Sequence, residues 1–412
     1  MARSTRRQLL IGGAVAVGAT TLAGGARLLW PNSAPGSRVR GCVSLGANGV
    51  INPGSTQDYR NCRGFLLDTG TKWVRIWADW PSLQPEADRA PDRGTGAWRV
   101  RELDEQIRQA NADRIGVILT AYRFPTWANG TAGLADDSLH QLEDRLAPLG
   151  DLSARKDLRF KLPSDVGLGS AWARWIEFLI ERYGRQIDAL ELVNEPNGQV
   201  WPLHGPSASA DPYGPGPLTV HRVVARMFQT AQSIAAAHQP APLLIGPATS
   251  DTATDSRLSV PYDTFTRALL DELDRIRFQP GREFAWAHHN YTDVENDEGT
   301  RAATVRDLLS GRWAGWPHAD AANPAILIPE GGARLSRIAT IWSTSDGDET
   351  RALQAKLIQR NWRRMTEQPG IAMLGQYLFY SDPTFDCGLC DTDGAKRPAY
   401  VAWRQVARGS AA

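Results

Sequence analysis

The sequence predicts an α/β protein that folds as a single (β/α)8 TIM barrel, with long loops after strands three and four. The main observation is that apolar, strand-like runs alternate strictly with helical patterns until eight of each have passed. Strict alternation implies a parallel sheet, and eight repeats imply that the sheet closes. A second observation disfavours an open doubly wound sheet: Gly46-Ala-Asn-Gly49, after the first strand, lacks the G-x-G-x-x-G spacing of a phosphate loop.

The predicted strands are short apolar runs, and each is followed by a segment in which apolar residues recur with helical spacing. In chain order, the strands cover Gly41–Leu45, Trp73–Trp77, Gly116–Ala121, Ala189–Val193, Leu243–Gly246, Phe284–His288, Ala325–Ile328 and Met373–Phe379. The helices that follow them cover Thr56–Asp68, Arg99–Ala112, Ser170–Tyr183, Leu218–Ala237, Tyr262–Arg277, Thr300–Leu309, Glu349–Glu367 and Pro398–Val406.

Two predicted connections between a strand and the next helix are unusually long. The first, Trp127–Leu168, is rich in charge, and the second, Gly198–Pro217, is rich in Pro, Gly and Ser. Loops of this length inside a compact domain are usually functional, and in a barrel they lie on the catalytic face. We therefore expect both loops to wall an elongated cleft in which Trp201 and Tyr213 are exposed.

The composition is that of a globular protein. At 412 residues the chain can form one large barrel or two ordinary domains. With 42% hydrophobic and 22% charged residues it can bury a sizeable core. A net charge of +1, with Lys and Arg scattered among Asp and Glu, indicates neither a nucleic-acid partner nor an anionic membrane. No linker or second domain is evident, so residues 38–408 are predicted to form one barrel domain.

The first 30 residues are predicted to be a targeting segment and linker. Thr5-Arg6-Arg7-Gln8-Leu9-Leu10 precedes a weakly apolar run rich in Gly and Ala, as in a twin-arginine export signal. The alternative is a chance arginine pair before a short, uncleaved membrane anchor. No other window has the ~20 apolar residues of a spanning helix. We expect a protein exported by the twin-arginine pathway, extracellular or associated with the cell envelope, with no transmembrane domain beyond this segment.

The four cysteines form two local groups, Cys42 with Cys62 and Cys387 with Cys390. Outside the cytoplasmic membrane disulfides can form, so structural disulfides are expected. The C-x-x-C pair is the candidate for a short-loop bridge between Cys387 and Cys390. On its own this pair has too few ligands for a zinc site, and no metal is predicted.

Two glutamates follow apolar runs at the predicted carboxyl ends of strands four and seven. Pro196 ends the first run, Asn194-Glu195-Pro196, because proline has no N–H to donate to a strand. Glu330 follows the second run and precedes a pair of glycines. A barrel would bring these carboxylates from opposite sides into one site. Glycoside hydrolysis needs such a pair, with one carboxyl as proton donor and the other as nucleophile or base.

The two glutamate motifs resemble clan A of the retaining glycoside hydrolases, which includes the cellulases of family five and the β-xylosidases of family thirty-nine. The likeness spans roughly residues 40–407. It implies that Glu195, directly after Asn194, is the general acid/base and that Glu330 is the nucleophile. Asn194 would then offer its amide to the sugar 2-hydroxyl.

Other positions fit the family residue by residue. Arg75 resembles a strand-two arginine that lies near the nucleophile, and His289-Asn-Tyr291 resembles a strand-six His-x-Tyr whose tyrosine hydrogen-bonds the nucleophile. Gly388–Gly394, followed by Pro398-Ala-Tyr400, resembles the closing segment of the family. The resemblance therefore implies that the site includes the arginine, the histidine and the tyrosine as substrate-binding residues.

The chain departs from the family at two strand ends. Many family-five enzymes have a His after strand three, where this chain has Tyr122-Arg123-Phe124. Strand eight often ends in a Trp under the reacting sugar, and here Tyr380 or Phe379 stands instead. We predict that Tyr380 and the loop residue Trp201 bind substrate, since an aromatic face can stack on a sugar. Core packing is the predicted role of Trp77.

These observations predict an exported retaining glycoside hydrolase that cleaves O-glycosidic, β-linked bonds of a polysaccharide or oligosaccharide by double displacement. Two alternatives stay open: an exo-acting enzyme of the β-xylosidase or arabinofuranosidase type, and a non-catalytic carbohydrate-binding barrel. A metal-dependent barrel hydrolase fits poorly, because no His-x-His follows strand one. No cofactor is predicted, and the protein is expected to be a monomer.

Overall fold

The computed structural model describes residues 39–46, 58–132, 158–163, 165–198, 220–238, 240–254, 259–281, 284–313, 325–344 and 346–409. The predicted export signal lies outside these ranges. Trp201, Tyr213 and most of the two long connections, residues 133–157 and 199–219, also lie outside them. The elongated cleft between those connections therefore stays a prediction.

Eight strands close into a barrel in chain order, and every neighbouring pair is parallel. They are β1 Arg40–Ser44, β2 Trp73–Asp79, β3 Gly116–Tyr122, β4 Ala189–Glu191, β5 Leu243–Ser250, β6 Phe284–His289, β7 Ile326–Ile328 and β8 Ile371–Tyr377. This confirms the predicted (β/α)8 barrel. Because all strands run the same way, their carboxyl ends meet at one mouth, and residues that follow the strands come together there.

Helices of the described ranges surround the barrel. They are α1 Tyr59–Thr69, α2 Trp80–Leu83, α3 Ala97–Ala112, α4 Thr126–Asn129, α5 Ala171–Tyr183, α6 Val220–Ala237, α7 Tyr262–Arg275, α8 Tyr291–Glu295, α9 Thr300–Leu309, α10 Leu335–Trp342, α11 Gly347–Glu367 and α12 Pro398–Ala407. The short helices α2, α4, α8 and α10 lie outside the predicted pattern, and each follows a strand at the mouth. None of these described helices combines the length and the apolarity needed to cross a bilayer.

Capping side chains explain where several helices begin and end. The Asp58 carboxylate accepts the Arg60 N–H at 2.9 Å at the start of α1, and Ser170 Oγ accepts the Ala173 N–H at 3.1 Å at the start of α5. Each cap satisfies an N–H that has no partner within its helix. At the end of α1, Gly70 has a φ of 70°, in the left-handed region that favours glycine.

Residues two apart on each strand share a face of the sheet, and this places a polar layer above an apolar one inside the barrel. The apolar layer contains Cys42, Trp73, Ile118, Ala189, Leu243, Ala285, Leu327 and Met373. Two positions further along their strands come the buried polar residues Ser44, Arg75, Thr120 and Glu191. Another two residues along the strands, at the mouth of the barrel, lie Trp77, Tyr122, His289 and Tyr377. The polar side chains thus stand on a packed apolar floor.

The main core lies between the strands and the helices. Trp80 is buried there and stacks on Trp175 of α5, with ring centroids 5.5 Å apart and an interplanar angle of 4°. Trp127 packs edge-on against the Trp80 ring, with ring centroids 5.5 Å apart. These tryptophans consequently stabilise the barrel wall through the large apolar area that they bury.

The end of β8 differs from its prediction. The strand runs Ile371–Tyr377 rather than Met373–Phe379, because the Phe379 ring packs outside the barrel against Phe65 of α1, with centroids 6.1 Å apart. Tyr377, not Phe379, therefore ends the strand, and it shares the inner face with Met373.

Candidate active site

Arg75 occupies the centre of the polar layer and is completely buried. Its Nε and Nη2 donate to the two carboxylate oxygens of Glu191 at 2.9 and 2.5 Å, and Nη2 also donates to Asn194 Oδ1 at 2.8 Å. Its Nη1 donates to Ser44 Oγ at 3.2 Å and to Glu330 Oε1. One guanidinium therefore connects strands β1, β2 and β4 to the residue that follows β7.

Glu330 is held through both of its carboxylate oxygens. Oε1 accepts from Arg75, and Oε2 accepts the Tyr291 hydroxyl at 2.7 Å. The Glu330 backbone carbonyl also accepts the N–H of Asn290 at 3.3 Å. These contacts fix the plane of the carboxylate and surround it with donors.

Steric crowding explains why two glycines follow Glu330. A Cβ on Gly331 would lie 2.1 Å from Oδ1 of the buried Asn290. Gly332 has a φ of 139°, a conformation that other residues rarely adopt, and packs against the Gln376 side chain. The Gly-Gly pair thus lets the Glu330 segment approach β6 and β8 closely.

Glu195 follows β4 with a φ of 41°, an uncommon value for a residue with a side chain. His289 Nδ1 lies 2.9 Å from Glu195 Oε1 and 3.6 Å from Glu330 Oε2. Burial would raise the pKa of Glu195, but the hydrogen bond and charge of His289 lower it. Burial would lower the pKa of His289, but the charges of Glu330 and Glu195 raise it. The net shifts, a lowered pKa for Glu195 and a raised pKa for His289, both favour the proton on the imidazole.

The two glutamates face each other across the mouth. One oxygen of Glu195, one ring nitrogen of His289 and one oxygen of Glu330 all lie within 4.8 Å of one another. Such a group could in principle ligate a cation. The Arg75 guanidinium bound to Glu330 and the proton on His289 oppose a third positive charge at this point. The arrangement suits acid–base and nucleophilic chemistry better.

Two tyrosines complete the wall of the site. Tyr377 ends β8 and Tyr122 ends β3, both half-buried on the inner face. Burial raises the pKa of each hydroxyl, and the negative charge of Glu330 raises both further. Within the described part of the chain neither hydroxyl forms a hydrogen bond. Both phenol groups therefore remain able to bind a ligand beside Glu330.

The structure brings together six of the predicted substrate-binding and catalytic residues: Arg75, Asn194, Glu195, His289, Tyr291 and Glu330. Tyr380 lies against α1, where its ring packs edge-on to Phe65 at 5.7 Å and its hydroxyl donates to the Asn61 carbonyl at 3.4 Å. Trp201 lies outside the described residues. Trp77 is buried, with the Arg75 guanidinium 4.0 Å above its ring.

Glu191 and Tyr377 are absent from the sequence prediction, although each leaves a signal. Glu191 interrupts an apolar strand, and a charge buried in a strand needs a partner, which Arg75 supplies. Tyr377 lies four residues after Met373, so an alternating strand must place both on one face. The error in the end of β8 concealed that relation.

The predicted disulfides are wrong, because all four cysteines are buried and none of them is in a disulfide. The Cys387 thiol donates to the Tyr377 carbonyl at the mouth. Cys390 instead interacts with Cys62 on α1, where it contributes to the raised pKa of the Cys62 thiol. The two thiols of the C-x-x-C segment thus interact with different neighbours, and the predicted Cys387–Cys390 bridge does not form.

A cluster of one histidine and two glutamates lies on the outer helices, away from the candidate site. His238 Nε2 is 3.2 Å from Glu181 and 3.7 Å from Glu177, while its Nδ1 lies 2.9 Å from the Ile234 carbonyl. That backbone hydrogen bond and the two carboxylates raise the pKa of His238 against the effect of burial. The group is an ion-paired histidine between α5 and α6.

No protein-family model and no curated protein sequence matches the chain. Solved structures match its fold. A family 39 glycoside hydrolase from Bacteroides cellulosilyticus WH2 matches with a TM-score of 0.54 at 14% identity, over 90% of this chain and 63% of that chain. This chain thus spans less than two thirds of that protein.

Two further structures match over most of their own length. GH5_18 from Bifidobacterium longum, in complex with Manb1-4GlcNAc, matches with a TM-score of 0.54 at 13% identity, over 90% of this chain and 78% of that chain. Native xylanase 10B from Thermotoga maritima has a TM-score of 0.53 at 11% identity, over 90% and 96%. At these identities the likeness concerns the fold, and the fold neighbours of this chain include a family 39 glycoside hydrolase, GH5_18 enzymes and a xylanase.

Proposed function

We propose that this chain is a retaining glycoside hydrolase in which Glu330 is the nucleophile and Glu195 the general acid/base. The observation that carries the proposal is their spacing, since an oxygen of one carboxyl lies within 4.8 Å of an oxygen of the other. Retaining enzymes keep the two carboxyls ~5–5.5 Å apart, whereas inverting enzymes leave ~6.5–9.5 Å for a water molecule. The class of the fold neighbours supports the same reaction.

The surroundings of Glu330 suit a nucleophile, because Arg75 and Tyr291 each donate to one of its oxygens and so fix the orientation of the carboxylate. In the first step a Glu330 oxygen attacks the anomeric carbon while the bond to the leaving oxygen breaks. Glu195 gives a proton to that leaving oxygen. In the second step Glu195 takes a proton from water, and the hydroxide cleaves the glycosyl ester on Glu330. Two inversions leave the anomeric configuration unchanged.

His289 supplies the proton that Glu195 needs as an acid. In the free site this proton is on the imidazole, 2.9 Å from the carboxylate. A bound sugar excludes water and disfavours the charged form of Glu195. The proton then passes along the hydrogen bond to the carboxylate, which gives it to the leaving oxygen. Glu195 thus becomes an acid only when substrate is present.

Asn194 is the proposed contact for the sugar 2-hydroxyl. Its amide oxygen accepts from Arg75 at 2.8 Å, so its amide nitrogen faces away from the guanidinium. A donor at this position binds the 2-hydroxyl more strongly as the oxocarbenium-like transition state forms. The arginine thereby orients both the nucleophile and this contact.

The proposed substrate is a β-linked polysaccharide or oligosaccharide, and the proposed location is outside the cytoplasm. A xylanase and a complex with Manb1-4GlcNAc among the fold neighbours support the first statement. The Arg6-Arg7 pattern supports the second. Replacing both arginines by lysine should retain the full-length protein in the cytoplasm, and unchanged export on cell fractionation would contradict the twin-arginine assignment.

The function is tested with the full chain on a panel of aryl β-glycosides and polysaccharides. Proton NMR of the first-formed product should show retained configuration. Glu330→Gln should abolish turnover, since no covalent intermediate can form. Glu195→Ala should affect substrates with poor leaving groups most, and added azide should give a β-glycosyl azide. The exposed Glu349→Gln serves as the control. Inverted configuration, or a Glu330→Gln variant that keeps most of its activity, would refute the assignment.

A further inference from the structure

Glu191 is a carboxylate that the mechanism above does not use. It is the last residue of β4, faces the barrel interior and is completely buried. Both of its oxygens accept hydrogen bonds from Arg75, at 2.9 and 2.5 Å. We propose that Glu191 is a positioning residue that fixes the Arg75 guanidinium and sets how much of its charge acts on Glu330. The proposal rests on the proposed role of Glu330 as nucleophile.

The hydrogen-bond geometry gives the first reason. An arginine has five N–H groups, and all five of Arg75 find acceptors: two on Glu191 and one each on Glu330, Asn194 and Ser44. A carboxylate that accepts two parallel bonds fixes both the position and the plane of a guanidinium. Without Glu191, two buried N–H groups would lose their acceptors. The guanidinium would then turn toward Glu330, its remaining charged partner.

The charge balance gives the second reason. Glu191, Glu195 and Glu330 contribute three negative charges, while Arg75 and the proton on His289 contribute two positive ones. The site therefore carries one net negative charge, and it would be neutral without Glu191. Positive charge develops on the sugar in the transition state, and a preorganised negative environment stabilises it. The second carboxylate on Arg75 also keeps the arginine from neutralising Glu330.

A purely structural role would have a different signature. If Glu191 only stabilised the barrel, its replacement would lower the melting temperature and weaken all ligands of the site alike. A residue that sets the charge of the site distinguishes cationic from neutral ligands of the same shape. The difference between two such ligands therefore reports on the proposal.

The test uses Glu191→Gln in the full chain, because glutamine keeps the size of the side chain and removes its charge. We would measure kcat and KM on the best aryl β-glycoside, together with inhibition by a protonated iminosugar and by an uncharged lactam of the same configuration. We expect kcat/KM to fall about 100-fold, mostly through kcat. The inhibition constant of the iminosugar should rise about 10-fold more than that of the lactam.

Asp104→Asn is the matched control. Asp104 of α3 also accepts two bonds from one arginine, at 2.8 and 2.6 Å from Arg182, but it lies in the helix layer. This variant should keep the wild-type kcat/KM and the wild-type ratio of the two inhibition constants. Glu191→Asp is a second test, since aspartate keeps the charge but reaches less far. It should lose rate and keep the inhibitor ratio.

Each outcome bears on a defined statement. Equal weakening of iminosugar and lactam in Glu191→Gln, or an unchanged kcat/KM, overturns the proposal for Glu191 and leaves the proposed function intact. If the glutamine variant does not fold, a Glu191→Asp variant with the wild-type rate overturns the proposal instead. A wild-type chain without glycosidase activity overturns the proposed function, and the proposal for Glu191 with it.

Discussion

At the scale of single residues, Tyr377 is placed to contact a sugar beside Glu330, the proposed nucleophile. It lies on the inner face at the end of β8, next to the rings of Tyr291 and Phe385 at 6.3 and 5.4 Å. We expect Tyr377→Phe to lower kcat/KM on an aryl glycoside about 10-fold, the value of one hydrogen bond to a ligand. One deoxy substrate, which lacks the hydroxyl that Tyr377 binds, should show no such loss.

Tyr183→Phe provides the comparison for that measurement. The Tyr183 hydroxyl donates to Asp104 at 2.9 Å on the outer helices, so its removal should lower stability slightly and leave kcat/KM unchanged. If Tyr377→Phe and Tyr183→Phe have the same kinetics, then Tyr377 does not contact the substrate.

The histidine pair of β6 shows how neighbours determine protonation. His288 faces the helix layer, and burial lowers its pKa to about 3, whereas Glu330 and Glu195 raise the pKa of His289. Replacing Glu195 by Gln removes one raising charge while burial remains. We therefore expect the pKa of His289 to fall in Glu195→Gln, measured by nitrogen NMR of labelled imidazoles. His288 should stay neutral in both proteins, and an unchanged His289 titration would contradict the shared proton.

At the scale of elements, the turn after β7 determines the position of Glu330. A Cβ on Gly331 would lie 2.1 Å from Asn290 Oδ1, so Gly331→Ala should displace the carboxylate. A misplacement of about 1 Å can cost about 100-fold in rate, and we expect kcat/KM to fall by about that factor. Gly64→Ala is the control. Nothing lies within 4 Å of a Cβ at this helical position, so the variant should be more stable by about 0.5–1 kcal/mol at full activity. A fully active Gly331→Ala would refute the argument.

The start of α8 depends on a buried carboxyl with a perturbed pKa. Asp251 accepts the N–H groups of Thr292 and Asp293, each at 3.0 Å, next to Tyr291, which holds Glu330. Burial raises the pKa of Asp251 to about 7. The unfolded chain releases this proton near pH 4, so the folded state binds more protons between pH ~4 and ~7 and stability falls as pH rises through that window.

The Asp251→Asn variant tests this dependence, because it removes the titration and keeps the shape. Relative to wild type, the variant should gain stability as pH rises from ~4 to ~7, by at most about 1.4 kcal/mol per pH unit. Denaturant unfolding at several pH values measures the difference. Parallel stability curves for the two proteins would show that Asp251 is ionised throughout.

At the scale of the whole molecule, the buried thiols predict a barrel that needs no cross-link. None of the four cysteines is in a disulfide, and burial raises the pKa of Cys62 and Cys387 well above the ordinary value, which disfavours the reactive thiolate. A reducing agent should therefore leave both the melting temperature and the intact mass unchanged. Alkylation should occur only after denaturation. A mass increase of two hydrogens on reduction would demonstrate a disulfide.

The fold follows from the sequence more completely than the site does. Strict alternation of strands and helices predicts a closed barrel because parallel strands need helical crossovers. Asn194-Glu195-Pro196 and Glu330 are visible in the sequence because each ends an apolar run. Tyr377 depends on where β8 ends, and that is decided by the packing of a ring on α1. Glu191 is visible as a charge within an apolar strand, but its partner Arg75 lies on a distant strand, and no local pattern identifies that partner.

The separation between the strand ends and the long connections has a practical consequence. Every group proposed here to react, or to position a reacting group, lies on a strand or within four residues of one, and none belongs to residues 133–157 or 199–219. A protein engineer could therefore exchange those two segments for segments from another barrel while the reactive groups keep their supporting strands. The barrel would then serve as a constant scaffold. Selection for activity on new glycans could begin with a library in which only these two segments vary.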